Sequence, residues 1–259
     1  MSARDETSDR LFHLDSAASR QRIHEPDECP PPARRRVYVG AERISLPGRD
    51  FTLPAPLGEV LRLRRSRRDF SGRPLGLEQV GRLLHVSFGV VADREVLDFE
   101  TPAVLGYRSS PSAGGLYPLE LYVATRAVDG LADGVYHYDP WSHQLERRQH
   151  GGVHDRFASI CFDQGFLAAA NLLVSLAAIV ERTRHKYGAR GYRYVCFEAG
   201  HVAQNLCLVA AASNLGAVTL GGFYDREMNE LLALPEGEDA LYHVAVGTVG
   251  GSVSSTGAL

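Results

Sequence analysis

Of the 28 basic side chains in this chain, only Lys186 is a lysine; the others are arginine. Guanidinium grips anions but does not give up its proton at working pH, so Lys186 is the one amine able to act as a base. A GC-rich coding sequence would by itself favour arginine, so the neighbours of Lys186 carry the weight. Lys186 is followed by Tyr187, within His185-Lys186-Tyr187-Gly188-Ala189-Arg190-Gly191-Tyr192-Arg193-Tyr194. An amine beside a phenol can exchange protons when burial lowers the first pKa and a nearby cation lowers the second. Cations and aromatics alternate here with glycines. The pattern suits an irregular ligand-lining segment rather than a helix or strand, and a cation–π-rich surface loop has the same composition.

Three further stretches could bind a ligand. Arg64-Arg65-Ser66-Arg67-Arg68 offers several guanidinium forks and a hydroxyl, which suits a phosphate and also suits a solvated basic helix end. Arg108-Ser109-Ser110-Pro111-Ser112-Ala113-Gly114-Gly115-Leu116-Tyr117-Pro118 is a small-residue turn through which backbone N–H groups can approach a flat ligand. Leu220-Gly221-Gly222-Phe223 precedes a helix start at Asp225, where exposed N–H groups can face developing negative charge.

Other chemistries find no support. Cys29, Cys161, Cys196 and Cys207 form neither C-x-x-C nor a Cys/His ligand set, so reduced thiols and no metal are expected. G-x-G-x-x-G and Walker sequences do not occur. His201 and Asn205 stand four apart and could pair within a helix, as a satisfied core histidine. The net charge of -3 does not suggest nucleic-acid binding, although the excess of arginine in residues 1–73 directs an anion site to that end. Met1 to Arg10 lacks an apolar core, and the apolar run from Phe166 to Val180 is too short for a bilayer. A cytoplasmic protein with no membrane contact is the expectation.

The elements that must position these groups are legible in outline. With 259 residues, 44% of them apolar, the chain can bury a substantial core. Residues 1–50, with the Pro30-Pro31-Pro32 run and Arg34-Arg35-Arg36, read as an extended arm lying over a surface or a partner, and residues 51–259 as one domain. Leu57, Val60 and Leu61 predict a short helix after Pro56, and Leu77, Val80, Leu83, Leu84 and Phe88 a second. Leu119–Thr125, 134–138 and 144–148 predict strands, the last two joined as a hairpin through 139–143. Residues 153–162 predict a helix, and 172–180 either a buried strand or a helix. Glu198–Asn214 predicts a central buried helix, and 217–220 and 241–246 short buried strands around a helix capped by Asp225. Without regular βαβ alternation, the class is α+β.

In this order the motifs resemble the FMN-dependent nitroreductase superfamily. The spans Pro111-Ser112-Ala113-Gly114-x-x-Tyr117-Pro118, Gly134-Val135-Tyr136-His137-Tyr138-Asp139, Lys186-Tyr187-Gly188-x-Arg190-Gly191-Tyr192-Arg193-Tyr194 and Glu198-Ala199-Gly200-His201-x-x-Gln204-Asn205-Leu206 are similar to its SagB-type azoline dehydrogenase branch. The resemblance covers residues 57 to 250. It implies a homodimer of α+β subunits, each with a central mixed or antiparallel sheet packed with helices, and FMN bound at active sites in the interface. Arg64, Arg65, Ser66 and Arg68 would hold the FMN phosphate and ribityl chain. Pro111, Ser112, Ala113 and Gly114 would reach the flavin from the other subunit, and Gly221 and Gly222 would face its N5 edge.

The resemblance assigns catalysis to Lys186 and Tyr187. The implied reaction oxidises thiazolines or oxazolines in a peptide to thiazoles or oxazoles: a base takes the α-proton, hydride goes to flavin N5, and oxygen reoxidises the flavin. The peptide would be a ribosomal product or a carrier-bound nonribosomal intermediate, with a cyclodehydratase or nonribosomal synthetase as a further partner. An NAD(P)H-dependent nitro or quinone reductase and a non-catalytic scaffold subunit are the competing readings. Gly115 stands where typical nitroreductases carry Asn, Gly221 where they carry Glu, and Thr248–Leu259 contains no Lys or Arg for the flavin phosphate.

Overall fold

In the computed structural model, which describes residues 8–17, 33–98 and 101–250, the elements run α1 (Ser8–Asp15), β1 (Arg43–Ser45), α2 (Leu57–Leu63), α3 (Leu77–Phe88), β2 (Val90–Asp98), β3 (Thr101–Arg108), β4 (Leu119–Thr125), β5 (Gly134–Asp139) and β6 (Gln144–His150). There follow α4 (His154–Ile160), β7 (Leu172–Ala178), α5 (Glu181–Tyr187), α6 (Arg190–Ala212), β8 (Gly216–Leu220), α7 (Asp225–Leu231) and β9 (Asp239–Gly247). Seven strands form one sheet in the order β1-β6-β5-β4-β7-β9-β8, antiparallel at every junction. The fold is α+β, as the motif order implies.

Every residue of β4 and β7 is buried, and in β7 only Ser175 interrupts the apolar run, which is why 172–180 is ambiguous from periodicity. Successive residues still point to opposite faces. Leu119, Leu121, Val123, Val174 and Leu176 join a core with Val80, Leu83, Leu84 and Phe88 of α3 and with Val195, Val202 and Leu206 of α6. Tyr122, Ala124, Leu173 and Ala177 join another with Phe157 and Ile160 of α4 and Met228 and Leu231 of α7. By length and composition α6, at 23 residues, could cross a bilayer, but its buried side lies in the first of these cores, against α3, α5, β8 and β9.

Several expectations are corrected. The stretch 185–194 is not irregular: α5 runs to Tyr187, Gly188 turns the chain at φ 57° and ψ -146°, and α6 begins at Arg190 rather than Glu198. Burial of Arg182, Thr183 and His185 supplies the helical stripe that the charged and aromatic residues obscure, and glycine tolerates the break. Leu57 and Leu61 are 66% and 54% exposed, and Val60 is the buried residue of α2. Tyr224, not Asp225, occupies the N-cap of α7 and makes no side-chain cap; Asp225 lies in the first turn, where its charge suits the helix dipole. The β2–β3 hairpin is an element that the sequence reading did not anticipate.

The first 50 residues, expected as an extended arm, hold α1 and β1. β1 extends the sheet edge beside β6, with Ile44 opposite Leu145. Arg35 pairs with Asp139 at 2.5 Å and Arg36 with buried Glu238 at 3.1 Å. The Tyr38 and Tyr122 hydroxyls lie 2.5 Å apart. The Pro30-Pro31-Pro32 run and most of the 248–259 tail lie outside the described residues.

Candidate active site

Antiparallel pairing sends three of the sequence-predicted stretches toward one end of the sheet. Leu119 at the start of β4 pairs with Ala178 at the end of β7, and Ala178 with Asp239 at the start of β9. Leu220, at the end of β8, pairs with His243 at the middle of β9, so the chain beyond β8 heads toward that same rim. The small-residue turn before β4, helix α5 after β7 and the Gly221-Gly222 turn after β8 therefore share one rim.

Arg182 sets the place of α5. It is fully buried; its Nε donates to Ala33 O at 2.8 Å and its Nη1 to Tyr117 O at 3.0 Å, and its Nη2 lies 2.8 Å from Glu120 Oε1. One turn further on, Lys186 and Tyr187 converge on Gly114. A β-carbon at 114 would stand 2.8 Å from Tyr187 Oη and 3.3 Å from Lys186 Nζ, and the residue sits at φ +63°. Glycine at 114 thus answers both to the backbone angle and to the space the pair occupies. Lys186 is exposed and Tyr187 half-buried, so the burial that the sequence reading invokes is not supplied by one copy of the chain. The Tyr187 ring meets Tyr194 edge-on at 5.0 Å, and Arg190 Nε donates to Tyr194 Oη at 3.0 Å.

The turn itself is tied internally. Tyr117 N–H donates to Ser112 Oγ at 2.9 Å, and Arg108 N–H to Tyr117 Oη at 3.0 Å. The buried Arg108 guanidinium lies over the rings of Phe88 and Tyr117, which helps to offset its desolvation. A cavity of about 240 Å³ opens beside the turn, lined by Pro111, Ser112, Ala113, Tyr194, Phe197, Glu198 and His201. Glu198 is 2% exposed. Burial pushes its carboxyl up to about 7, opposed by the Ser112 hydroxyl and the charges of Arg108 and Arg182. His201 is exposed, not a satisfied core histidine, and Asn205 donates to Ser87 O at 3.2 Å instead of pairing with it.

The cationic stretch lies along the opposite edge of the sheet. Ser66 bridges Ala217 of β8 in the parallel sense, and Arg67 N–H donates to Ala217 O at 2.9 Å. Arg67 is held by Asp69 at 2.6 Å. Among the described residues no carboxylate pairs with Arg64, Arg65 or Arg68, although Arg65 also donates to the carbonyls of Arg62 and Arg64. β8 then delivers Gly221 and Gly222, whose N–H groups find no backbone acceptor among the described residues. Phe223 anchors that turn by packing on His243 at 4.4 Å. His243 bonds Ser175 Oγ through Nδ1 at 2.9 Å, and burial pushes its pKa down to about 3, so the ring stays neutral.

Two groups of residues result. Pro111, Ser112, Ala113 and Gly114 stand with Lys186 and Tyr187, while the Arg64–Arg68 stretch, bridged to Ala217 at the start of β8, lies along the strand whose far end leads to Gly221 and Gly222. Within one chain β7 and β9 separate β4 from β8, a span of about 14 Å at the usual strand spacing. Arg182, Glu198, Tyr194 and His243 join these groups without having been assigned a role from sequence. An acid such as Glu198, in a helix otherwise apolar nearly all round, was the one available signal.

A profile described as the nitroreductase family matches residues 61–248. The MJ1384 protein of Methanocaldococcus jannaschii, named for the nitroreductases, is 41% identical over 70% of this chain and 85% of its own length. The trifolitoxin operon protein TfxC of Rhizobium leguminosarum bv. trifolii is 26% identical over 84% of this chain and 62% of that protein. The microcin B17-processing protein McbC of Escherichia coli is 28% identical over 50% and 49%; this chain thus matches less than two thirds of either processing protein. Among solved structures, a nitroreductase-type protein of Ralstonia eutropha is 29% identical with a TM-score of 0.68, over 88% of this chain and 98% of that one. A chain of the E. coli McbBCD microcin synthetase complex, solved with truncated pro-MccB17, shares the fold at 23% identity and a TM-score of 0.61, over 82% and 80%.

Proposed function

The chain belongs to the nitroreductase family, on the branch that includes TfxC and McbC, and from that premise we propose that it is an FMN-dependent dehydrogenase converting thiazolines or oxazolines of a peptide into thiazoles or oxazoles, with oxygen as terminal oxidant. The convergence of Lys186 Nζ and Tyr187 Oη on Gly114 is the observation that carries this reading. It sets an amine and a phenol beside a turn open enough to lie against a flat ring.

The residues fit FMN. The guanidiniums of Arg64, Arg65 and Arg68, unpaired with any carboxylate among the described residues, and the exposed Ser66 suit a phosphate dianion. The N–H groups of Gly221 and Gly222, which meet no backbone acceptor among the described residues, suit the electron-rich edge of an isoalloxazine. When bound, FMN supplies the two-electron acceptor. Lys186 would take the α-proton of the azoline, with its amine 5.5 Å from the centre of the Tyr187 ring and the phenol beside it to exchange protons. Arg182 keeps both on the rim of the sheet.

A homodimer joins the two groups of residues, one from each subunit, and supplies the burial that Lys186 lacks in a single chain. Candidates for its surface are Phe197 of α6, 58% exposed, and Leu57 and Leu61 of α2, 66% and 54% exposed, since exposed apolar side chains suit an association site. A peptide-modifying partner, a cyclodehydratase or a nonribosomal synthetase, would deliver the substrate.

The test is a flavin absorbance spectrum of the purified protein, then incubation with an azoline-bearing peptide in air, read by mass for the loss of two hydrogens. Turnover of NAD(P)H with a nitro or quinone acceptor, and no azole, would favour a nitroreductase instead, a reading supported by the likeness to MJ1384.

A further inference from the structure

Two arginines stand at the end of α6 where cations are least favoured. Arg190 opens the helix and Arg193 closes its first turn, which holds no acidic residue, although the positive end of the helix dipole repels them both. Helix α1 accounts for the pair. Arg190 Nη1 donates to Ser16 O at 3.1 Å, Arg193 Nε to Ser16 Oγ at 2.8 Å, and Arg193 Nη2 to His13 O. The guanidiniums thus meet the carbonyls at the C-terminal end of α1, where positive charge is favoured.

The contact is more than a pair of caps. Phe12 meets Tyr192 edge-on at 5.7 Å and lies under the Arg193 guanidinium at 5.8 Å, and Ser16 is buried. Because eight residues are too few for a helix to persist alone in water, α1 owes its form to this docking.

Arg190 also reaches toward the candidate active site. Its Nε donates to Tyr194 Oη at 3.0 Å, and the Tyr194 ring meets the Tyr187 ring edge-on at 5.0 Å. Tyr187 in turn directs its hydroxyl at Gly114. One planar guanidinium, whose donors are fixed relative to one another, therefore bonds both α1 and the ring that backs Tyr187.

We propose that Arg190 is a positioning residue of the candidate active site, which makes the pose of Tyr187 depend on the docking of α1. That Tyr187 serves catalysis rests on the function proposed above; the coupling through Arg190 does not. When α1 leaves, the guanidinium loses its hold on Ser16 O and is free to turn to water. Tyr194 then loses its donor, and its ring no longer fixes that of Tyr187.

The test is fluorine NMR of the full-length, FMN-free protein labelled with fluorotyrosine, its signals assigned through Tyr187→Phe and Tyr194→Phe and its folding verified by circular dichroism. The double variant Phe12→Asp with Arg193→Gln removes contacts of α1 and leaves Arg190 and Tyr194 in place. Exchange of the Ser16 amide, which donates to Phe12 O at 3.0 Å, should quicken about tenfold or more, the effect of losing one charge-assisted hydrogen bond. The Tyr194 and Tyr187 signals should both move to the positions they take in Arg190→Gln, and adding Arg190→Gln to the double variant should move them no further. A Ser16 amide that stays protected in the double variant, or a Tyr187 signal that stays in place once α1 is released, overturns the proposal. If the double variant does not fold, Arg190→Gln decides alone: faster Ser16 exchange together with a moved Tyr187 signal supports the coupling, and either change without the other, or neither, overturns it. Azole formation is measured separately with FMN bound: its failure in the unaltered chain would overturn the proposed function while the fluorine spectra still judge the coupling.

Discussion

Arg182 Nη2 lies 2.8 Å from Glu120 Oε1, with both side chains 2% exposed or less. That one ion pair joins the first turn of α5 to β4, and the same guanidinium reaches the chain at Ala33 and at Tyr117. Removing Arg182 takes from the buried Glu120 one of its cationic partners and leaves the carbonyls of Ala33 and Tyr117 without their donor. Arg182→Leu should therefore cost about 3 to 5 kcal/mol of folding stability, read from urea unfolding midpoints. Stability equal to that of the unaltered chain would refute the role assigned to this pair.

Glu120 also meets His137 Nε2 at 2.9 Å, while His137 Nδ1 lies 3.0 Å from Glu146. Although burial opposes the charge, the two carboxylates raise the His137 pKa to about 9. Its folded pKa exceeds its unfolded value, so the stabilisation is complete below about pH 6.5 and is lost as pH rises through about 9. Unfolding free energy should fall over that interval, and His137→Gln should remove this component of the decline. An unchanged pH profile in the variant would count against the clamp.

Lys186→Arg preserves the charge but not the ability to deprotonate. FMN binding should persist while azole formation drops by about two orders of magnitude or more, the usual loss when a positioned acid or base is removed. Gly114→Ala should impair turnover by a different route, since its methyl would crowd Tyr187 Oη at 2.8 Å. Single-turnover rates with an azoline peptide check both.

Arg68→Ala should weaken FMN retention about ten- to a hundredfold, through loss of one charge-assisted hydrogen bond. Arg67→Ala is the control, because Arg67 already answers to Asp69. Fluorescence titration with FMN separates them, and equal effects would displace the anion site from the assigned residues.

Phe197 is 58% exposed on α6. Phe197→Glu should give a monomer by light scattering and, with the two groups of site residues kept apart, poor FMN retention. A dimeric variant would place the interface elsewhere.

What could be read in advance follows from the kind of physics that fixes each part. Strands β4, β5 and β6 announce themselves because local patterning and the 139–143 turn suffice to specify them. The 185–194 stretch misleads because its helical register depends on Arg182, Thr183 and His185 being buried against residues distant in sequence, and polar or aromatic types do not advertise such burial. The binding turns were legible as glycines with an order. That Gly114 makes room for Lys186 and Tyr187 depends on which strands pair, as do the placements of Glu198 beside Ser112 and His243 under Phe223, and no local pattern encodes that. Exposure of Leu57, Leu61 and Phe197 has the same origin, since apolar spacing does not distinguish a side chain that meets the core from one left at the surface.

The ties made by residues 33–50 bear on where this protein can be shortened. A chain begun at residue 51 would strip β1 from the sheet edge and expose the β6 backbone as a template for aggregation. It would also remove the Arg36 partner of Glu238 and the carbonyl that accepts Arg182 Nε. The smallest piece able to fold as a unit thus begins near Ala33, and a protease that cuts ahead of that point should release a stable core.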